Sequence, residues 1–190
     1  MLLAIDTSAG TSVAVVDGGR VLAEAAEAGT RRHAEAIGTL LRAALEAAGI
    51  VPGELGGVVV GMGPGPFTGL RVGIAAARAF AFARGIPLLP MVSHDAVAFG
   101  QPDRVAVVTD ARRREVAWSL YDPGLVRLDG PLLAEREGFE VPAGARRLDA
   151  AEVSAASLAL AAEALLAEGR PLGPTEPLYL RPPDVTVAPR

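Results

Sequence analysis

The sequence predicts a two-lobed α/β protein, and three observations carry that reading. The first hundred residues alternate strand-like and helical patterns in the order β-β-β-α-β-α-β. A loop of four glycines and two prolines, within Gly61–Arg71, separates a β-branched run from an Ala-rich helical pattern. A strand–turn–strand unit bounded by Asp6 and Asp17 recurs, one residue longer, between Asp110 and Asp122. A chain of 190 residues that is 51% hydrophobic can bury a real core, as one large domain or two small ones.

The elements follow in order. Residues 2–6 are an apolar run ending in Asp6-Thr7-Ser8, and Gly10 breaks the chain before a second strand, Val13–Val16. Asp17-Gly18-Gly19 is a hairpin signal, and Arg20–Glu24 reads as the third strand. Thr30 is a candidate N-cap for a helix from Arg31 to Ala48. Ile37, Leu41, Ala44 and Ala48 mark its apolar face, Leu45 widens it, and Gly49 ends it. Val58–Gly61 is a fourth strand, Leu70–Arg84 a second helix stopped by Gly85 and Pro87, and Leu88–Val92 a fifth strand. A short helix is expected after Ser93. This order is that of a ribonuclease H-like subdomain, a mixed sheet with helices laid on it.

Gln101-Pro102-Asp103 marks a boundary, dividing the chain into lobes 1–100 and 101–190. Strands are expected at Arg104–Thr109 and Glu115–Tyr121. The repeated Asp spacing suggests an internal duplication with a reduced second half. Residues 123–150 show no strong period, and a helix is expected at Ser154–Ala167. Six prolines between Pro171 and Arg190 exclude a helical tail, which is expected to pack as an extended strap anchored by Tyr179.

Composition excludes several classes of function. There is no Cys, Lys or Asn, and all 18 basic residues are Arg. Disulfides, zinc–thiolate sites, a Cys nucleophile, a P-loop lysine and Schiff-base chemistry are thereby ruled out. A heat-adapted source and a GC-rich genome both fit this bias. The net charge of −4 argues against coating nucleic acid by bulk electrostatics. No stretch reaches a membrane span, and the first residues read as a strand rather than a signal peptide, so a cytoplasmic location is expected.

The Gly–Pro loop can present backbone N–H groups to an anion at a helix start, or let another chain come very close. The helix after it is apolar almost all round, with Arg78 interrupting. Such a helix needs cover on both sides: from a second subunit, the preferred reading, or from the first helix and the tail. No serine sits in a Gly-x-Ser-x-Gly elbow, and a peptidase triad would need His33 or His94 beside one. Arg112–Arg114 and Arg146-Arg147 lack interleaved aromatics, and nearby acids favour surface or protein pairing over transfer RNA phosphates.

Asp6-Thr7-Ser8 before a hairpin, the loop Gly63–Arg71, Arg32-His33-Ala34-Glu35 and Asp110–Arg113 together resemble the TsaB (YeaZ) family over nearly the full length. The resemblance implies an actin-like ATPase fold, duplicated, with a shortened second half. It also implies a non-catalytic role beside the paralogue TsaD, which carries the catalytic site and a metal in forming threonylcarbamoyladenosine in transfer RNA. The ATPase TsaE joins that pair. The paralogue's metal is held by a His-x3-His pair, and in register here stand His94 and Ala98, so a metal site is not expected. Relatives of this fold hold phosphates near the first strand. Asp6, Thr7 and Ser8 are therefore candidates for a vestigial nucleotide contact, or simply cap the strand turn.

The residues expected to meet a partner are Ile37, Leu41, Leu45, Gly65, Phe67, Arg71, Ala76, Ala79 and Phe80. The expected partners are TsaD in a heterodimer and TsaE, with a homodimer when alone and transfer RNA reached only through the complex. No catalytic residue, cofactor or membrane contact is expected. The competing reading is an ATP-dependent enzyme or a metallopeptidase-like (glycoprotease) hydrolase of the same fold.

Overall fold

A computed structural model describes residues 1–29 and 33–181. The proposed N-cap Thr30, the helix start at Arg31, Arg32 and the tail from Pro182 lie outside the described residues. The first sheet joins β1 (Leu2–Asp6), β2 (Thr11–Asp17), β3 (Arg20–Glu27), β4 (Gly57–Gly61) and β5 (Leu88–Met91) in the order β3-β2-β1-β4-β5. β2 is antiparallel to both neighbours, whereas β1–β4 and β4–β5 are parallel. Gly18 and Gly19 close the β2–β3 hairpin with positive φ, as its tight turn requires. β3 runs three residues beyond the expected Glu24, because Ala25, Ala26 and Glu27 keep pairing with Val13, Ser12 and Thr11.

The helices are α1 (His33–Ala48), α2 (Phe67–Arg84), α3 (Ser93–Ala98) and α4 (Ala155–Ala167). α2 starts at Phe67, not Leu70. Pro66 stands at its N-cap position with extended ψ and Leu70 N–H already bonds the Pro66 carbonyl, so the first turn forms directly after the loop. Gly85, in the left-handed region, ends α2 and donates back to Ala81 and Phe82.

The period of two along the strands sorts the core into layers. Leu3, Ile5, Val13, Val15, Val58 and Val60 pack with Ala44 and Leu45 of α1 and Leu70, Ile74, Ala77 and Ala81 of α2. The intervening Ala4, Ala14, Val16 and Val59 pack with Ala155, Leu158, Ala159, Ala162 and Leu165 of α4. The last helix of the second half thus covers the far face of the first sheet, and Ser154 caps it by accepting from Ser157 N–H.

The second sheet holds β6 (Val105–Asp110), β7 (Glu115–Asp122), β8 (Val126–Glu135) and β9 (Arg146–Ala150) in the order β8-β7-β6-β9. Its pairings repeat those of β3-β2-β1-β4: two antiparallel contacts, then one parallel. The duplication is therefore present in topology. Residues 123–150, read as lacking a pattern, supply β8 and β9. β8 contains Gly130-Pro131 and its register with β7 shifts; β9 is the edge strand Arg146-Arg147-Leu148-Asp149-Ala150, largely exposed. Edge strands tolerate proline and charge, so neither shows the alternation of a half-buried strand.

Candidate functional site

The end of β1 opens onto the loop that carries Asp6, Thr7 and Ser8. All three are buried. The Asp6 carboxylate accepts from Ser8 N–H at 2.7 Å, from the Ser8 hydroxyl at 2.5 Å and from the Ser93 hydroxyl at 2.6 Å. Thr7 donates its hydroxyl to the Gly69 carbonyl at 2.8 Å. A Cβ on Gly65 would stand 2.8 Å from the Ser8 Cα and carbonyl oxygen, so the Gly–Pro loop lies directly on the Ser8 backbone. The polar groups of Asp6, Thr7 and Ser8 make the hydrogen bonds that local capping requires inside the protein, beneath the Gly–Pro loop. Burial holds the Asp6 carboxyl above its usual range, against the lowering effect of its three hydrogen bonds.

His94, on α3, is fully buried and spans two strands of the second sheet. Nδ1 meets the Ser119 hydroxyl at 2.8 Å and Nε2 meets the Thr109 hydroxyl at 2.9 Å. Burial first, and the charge of Arg127 second, push its pKa down to about 3, so the ring is neutral. Its neighbour Asp95 accepts from the Tyr121 hydroxyl at 2.7 Å. A metal of the His-x3-His type does not fit here. Both ring nitrogens are already bonded, the second ligand position is Ala98, and no cluster of three or more His, Asp or Glu side chains is placed for an ion among the described residues.

His94 does lie beside a serine, which the sequence alone could not place. Ser119 is 0% exposed, however, and the second ring nitrogen faces a threonine rather than a carboxylate. A nucleophile must reach a substrate carbonyl and its base must be oriented by a third group; this pair has neither. It pins α3 to the second sheet.

A cleft of about 960 Å³ separates the Gly–Pro loop and the first turn of α2 from the β6–β7 turn, with Tyr179, Leu180 and Arg181 along one wall. Arg112, Arg113 and Arg114 form that β6–β7 turn with φ of 61°, 53° and 63°. Three consecutive non-glycine residues in this region are uncommon. Arg146 bonds Gln101, and Arg147 makes a bidentate contact with Asp149 at 2.8 and 2.9 Å. The second Arg cluster is therefore engaged within the protein.

The residues expected to meet a partner divide into three groups, with Gly65 apart from them. Ala79 is exposed on α2, and Ala76 and Phe80 are half-buried. α2 is therefore not covered on both sides: its outward row also exposes Ala75, Ala83 and Phe82, the last at 90%. Among the described residues, the first helix and the strap leave that row uncovered. Leu45 is a correction. It is buried in the α1–α2–sheet layer, because the face read from Ile37, Leu41 and Leu45 points inward, and Ile37 and Leu41 pack half-buried on the same layer. Phe67 and Arg71 form a third group with the strap. The Arg71 guanidinium sits 3.6 Å above the Phe67 ring, the Tyr179 ring packs on Phe67 at 4.7 Å, and Arg71 Nε donates to the Tyr179 hydroxyl at 3.2 Å. Gly65 is the contact on Ser8 described above. The exposed Phe82 carried a signal the reading missed: a large aromatic in the otherwise small-residue outer row of an amphipathic helix.

The TsaD family model, tRNA N6-adenosine threonylcarbamoyltransferase, matches residues 20–164. An uncharacterized protein of Mycobacterium tuberculosis is 40% identical over 175 residues, which is 86% of this chain and 82% of that one. The tRNA N6-adenosine threonylcarbamoyltransferase of Streptococcus thermophilus is 47% identical over 65 residues, 34% of this chain and 19% of that enzyme. YeaZ from Pseudomonas aeruginosa has a TM-score of 0.76 at 28% identity, over 90% of this chain and 98% of that one. A second structure from the same organism, of a protein with similarity to peptidase YeaZ, reaches 0.79 at 28% identity over 95% and 99%. No helix among the described residues is long and apolar enough to cross a membrane. With its two sheets of repeated topology and these matches, the chain belongs to the TsaD family and, within it, to the YeaZ (TsaB) proteins.

Proposed function

We propose that this chain is a non-catalytic TsaB-type subunit of the cytoplasmic system that makes threonylcarbamoyladenosine in transfer RNA. In that role it binds a TsaD-type transferase through α2, and the pair recruits TsaE. It reaches transfer RNA only through the assembly. The observation that carries the reading is the outer face of α2, where Phe82 is 90% exposed within a row of alanines. Small side chains allow a second helix to approach closely, and Phe82, exposed in the last turn, offers an aromatic anchor beside them. The same face can meet its own copy about a two-fold axis, which accounts for a homodimer when the partner is absent.

The closed Asp6 loop and the fully bonded His94 support a supporting role rather than a chemical one. Both groups that active relatives would use are consumed by internal hydrogen bonds. The test is to mix the purified chain with TsaD from the same source and follow elution volume. A mixed complex that replaces the homodimer is expected, together with no ATP hydrolysis or peptide cleavage by the chain alone. A homodimer that persists unchanged beside TsaD, or robust turnover by the lone chain, overturns the reading.

A further inference from the structure

The open side of α2 is positively charged as well as apolar. We propose that it selects an acidic helix, one whose carboxylates stand two turns apart and meet Arg71 and Arg78 while its small residues pack on Ala75, a proposal that rests on α2 as the docking face and adds the chemistry of the surface that covers it.

Arg71, Ala75, Arg78 and Phe82 follow one another at spacings of four, three and four residues. They therefore lie along one side of the helix, and all four are exposed. At 1.5 Å of rise per residue the two arginines stand about 10 Å apart along the axis. α2 holds a third arginine, Arg84, and no Asp or Glu from Phe67 to Arg84. The strap fixes both head groups without neutralising them. Arg78 donates through Nη2 to the Thr175 carbonyl at 3.1 Å, and Arg71 donates to the Tyr179 hydroxyl with its guanidinium on the Phe67 ring. Among the described residues neither arginine makes an ion pair, although Glu176 follows Thr175 directly on the strap. By contrast the exposed Arg104, Arg136 and Arg147 each pair with a carboxylate.

A surface that covers this row strips water from two charges. Burying an unpaired guanidinium is costly, whereas a carboxylate makes a charge-assisted and often bidentate contact with it. Because the strap already orders both side chains, less entropy is lost when a partner pairs with them. A second copy of α2 has no carboxylate to offer, and about a two-fold axis its arginines oppose these as like charges. The exposed acids of α1, Glu35 and Glu46, stand about three turns apart and miss the two-turn spacing. The charge pattern therefore favours a foreign helix over self-association through the same row.

The test is to measure, on the full chain, the affinity for TsaD from the same source and the strength of the homodimer as sodium chloride rises from about 0.05 to about 0.5 M. The mixed complex should weaken about tenfold over that range, while the homodimer holds or tightens. Arg78→Gln keeps an N–H donor for the Thr175 carbonyl and removes the charge. It should weaken the mixed complex about tenfold, and Arg78→Glu about a hundredfold, with the melting temperature of each unchanged. A mixed complex indifferent to salt, or Arg78→Gln and Arg78→Glu that bind TsaD as tightly as the parent, overturns the proposal. Phe82→Ser removes no charge and so separates the two readings. Association lost in Phe82→Ser but intact in both arginine variants leaves α2 as the docking face and sinks the acidic helix. Association intact in all three sinks both.

Discussion

The Asp6 carboxylate accepts a 2.6 Å hydrogen bond from the Ser93 hydroxyl, tying the last residue of β1 to the first of α3. Gly61 lies alongside; a Cβ there would come 2.7 Å from the Ser93 oxygen and would collide with the carboxylate itself. Asp6→Ala leaves the Ser8 N–H and the Ser93 hydroxyl unpaired in a buried site. It should cost about 2–4 kcal/mol, read as a lowered urea midpoint at constant slope. A loss below half that range would show that water replaces the carboxylate.

Acid should unfold the protein partly through His94. The folded ring titrates at about 3 and the unfolded one near 6.5. Between those values the unfolded chain takes up a proton that the folded chain refuses. The stability this residue contributes is complete above pH 6.5 and is lost as pH falls toward 3, roughly 5 kcal/mol at most. In His94→Gln, the slope of stability against pH over that interval should flatten relative to the parent. Parallel slopes would remove His94 as the cause.

Phe82 and Leu45 should behave oppositely although both are apolar helix residues. Phe82→Ser, on the open face of α2, should move stability by no more than about 0.5 kcal/mol while abolishing association with TsaD. Ala79→Arg, on the same row, should do likewise. Leu45→Ala opens a cavity in the core and should cost about 2–5 kcal/mol without a direct effect on binding. Calorimetry and elution volume, measured on the same samples, separate the two.

Tyr179 holds the strap through the Phe67 ring and the Arg71 side chain. Leu178 N–H also bonds the Met62 carbonyl at 2.8 Å, so removing the ring loosens the strap without releasing it wholly. Tyr179→Ala should lower stability by about 1–2 kcal/mol and speed proteolytic cutting after residue 170. An unchanged cleavage pattern would mean that the backbone bonds alone retain the segment.

Much of the architecture was readable because its signals are local. Val58–Val60, bounded by glycines, could only be a buried strand. Asp17-Gly18-Gly19 announced a hairpin, and Gly49 and Gly85 announced helix ends. β8 and β9 were not readable, since a proline-bearing strand and a charged edge strand are stabilised by neighbours distant in sequence. Helical spacing correctly grouped Ile37, Leu41 and Leu45 on one face, but spacing says nothing of whether that face meets the sheet or a partner. Only the packing of α1 on the first sheet decides that it points inward.

The same division runs through the site. Residue inventory by itself determined that no thiol or lysine chemistry is possible, because those groups are missing from the covalent chain, and that His94 has Ala98 where a His-x3-His pair would need its second ring. That His94 is sealed between Ser119 and Thr109, that Asp6 is consumed by Ser8 and Ser93, and that His33 is left with an unbonded nitrogen beside α2 were settled only by tertiary structure. Each depends on hydroxyls and backbone groups brought together over separations of up to 87 residues, and a hydrogen bond forms on distance in space, which linear order does not encode.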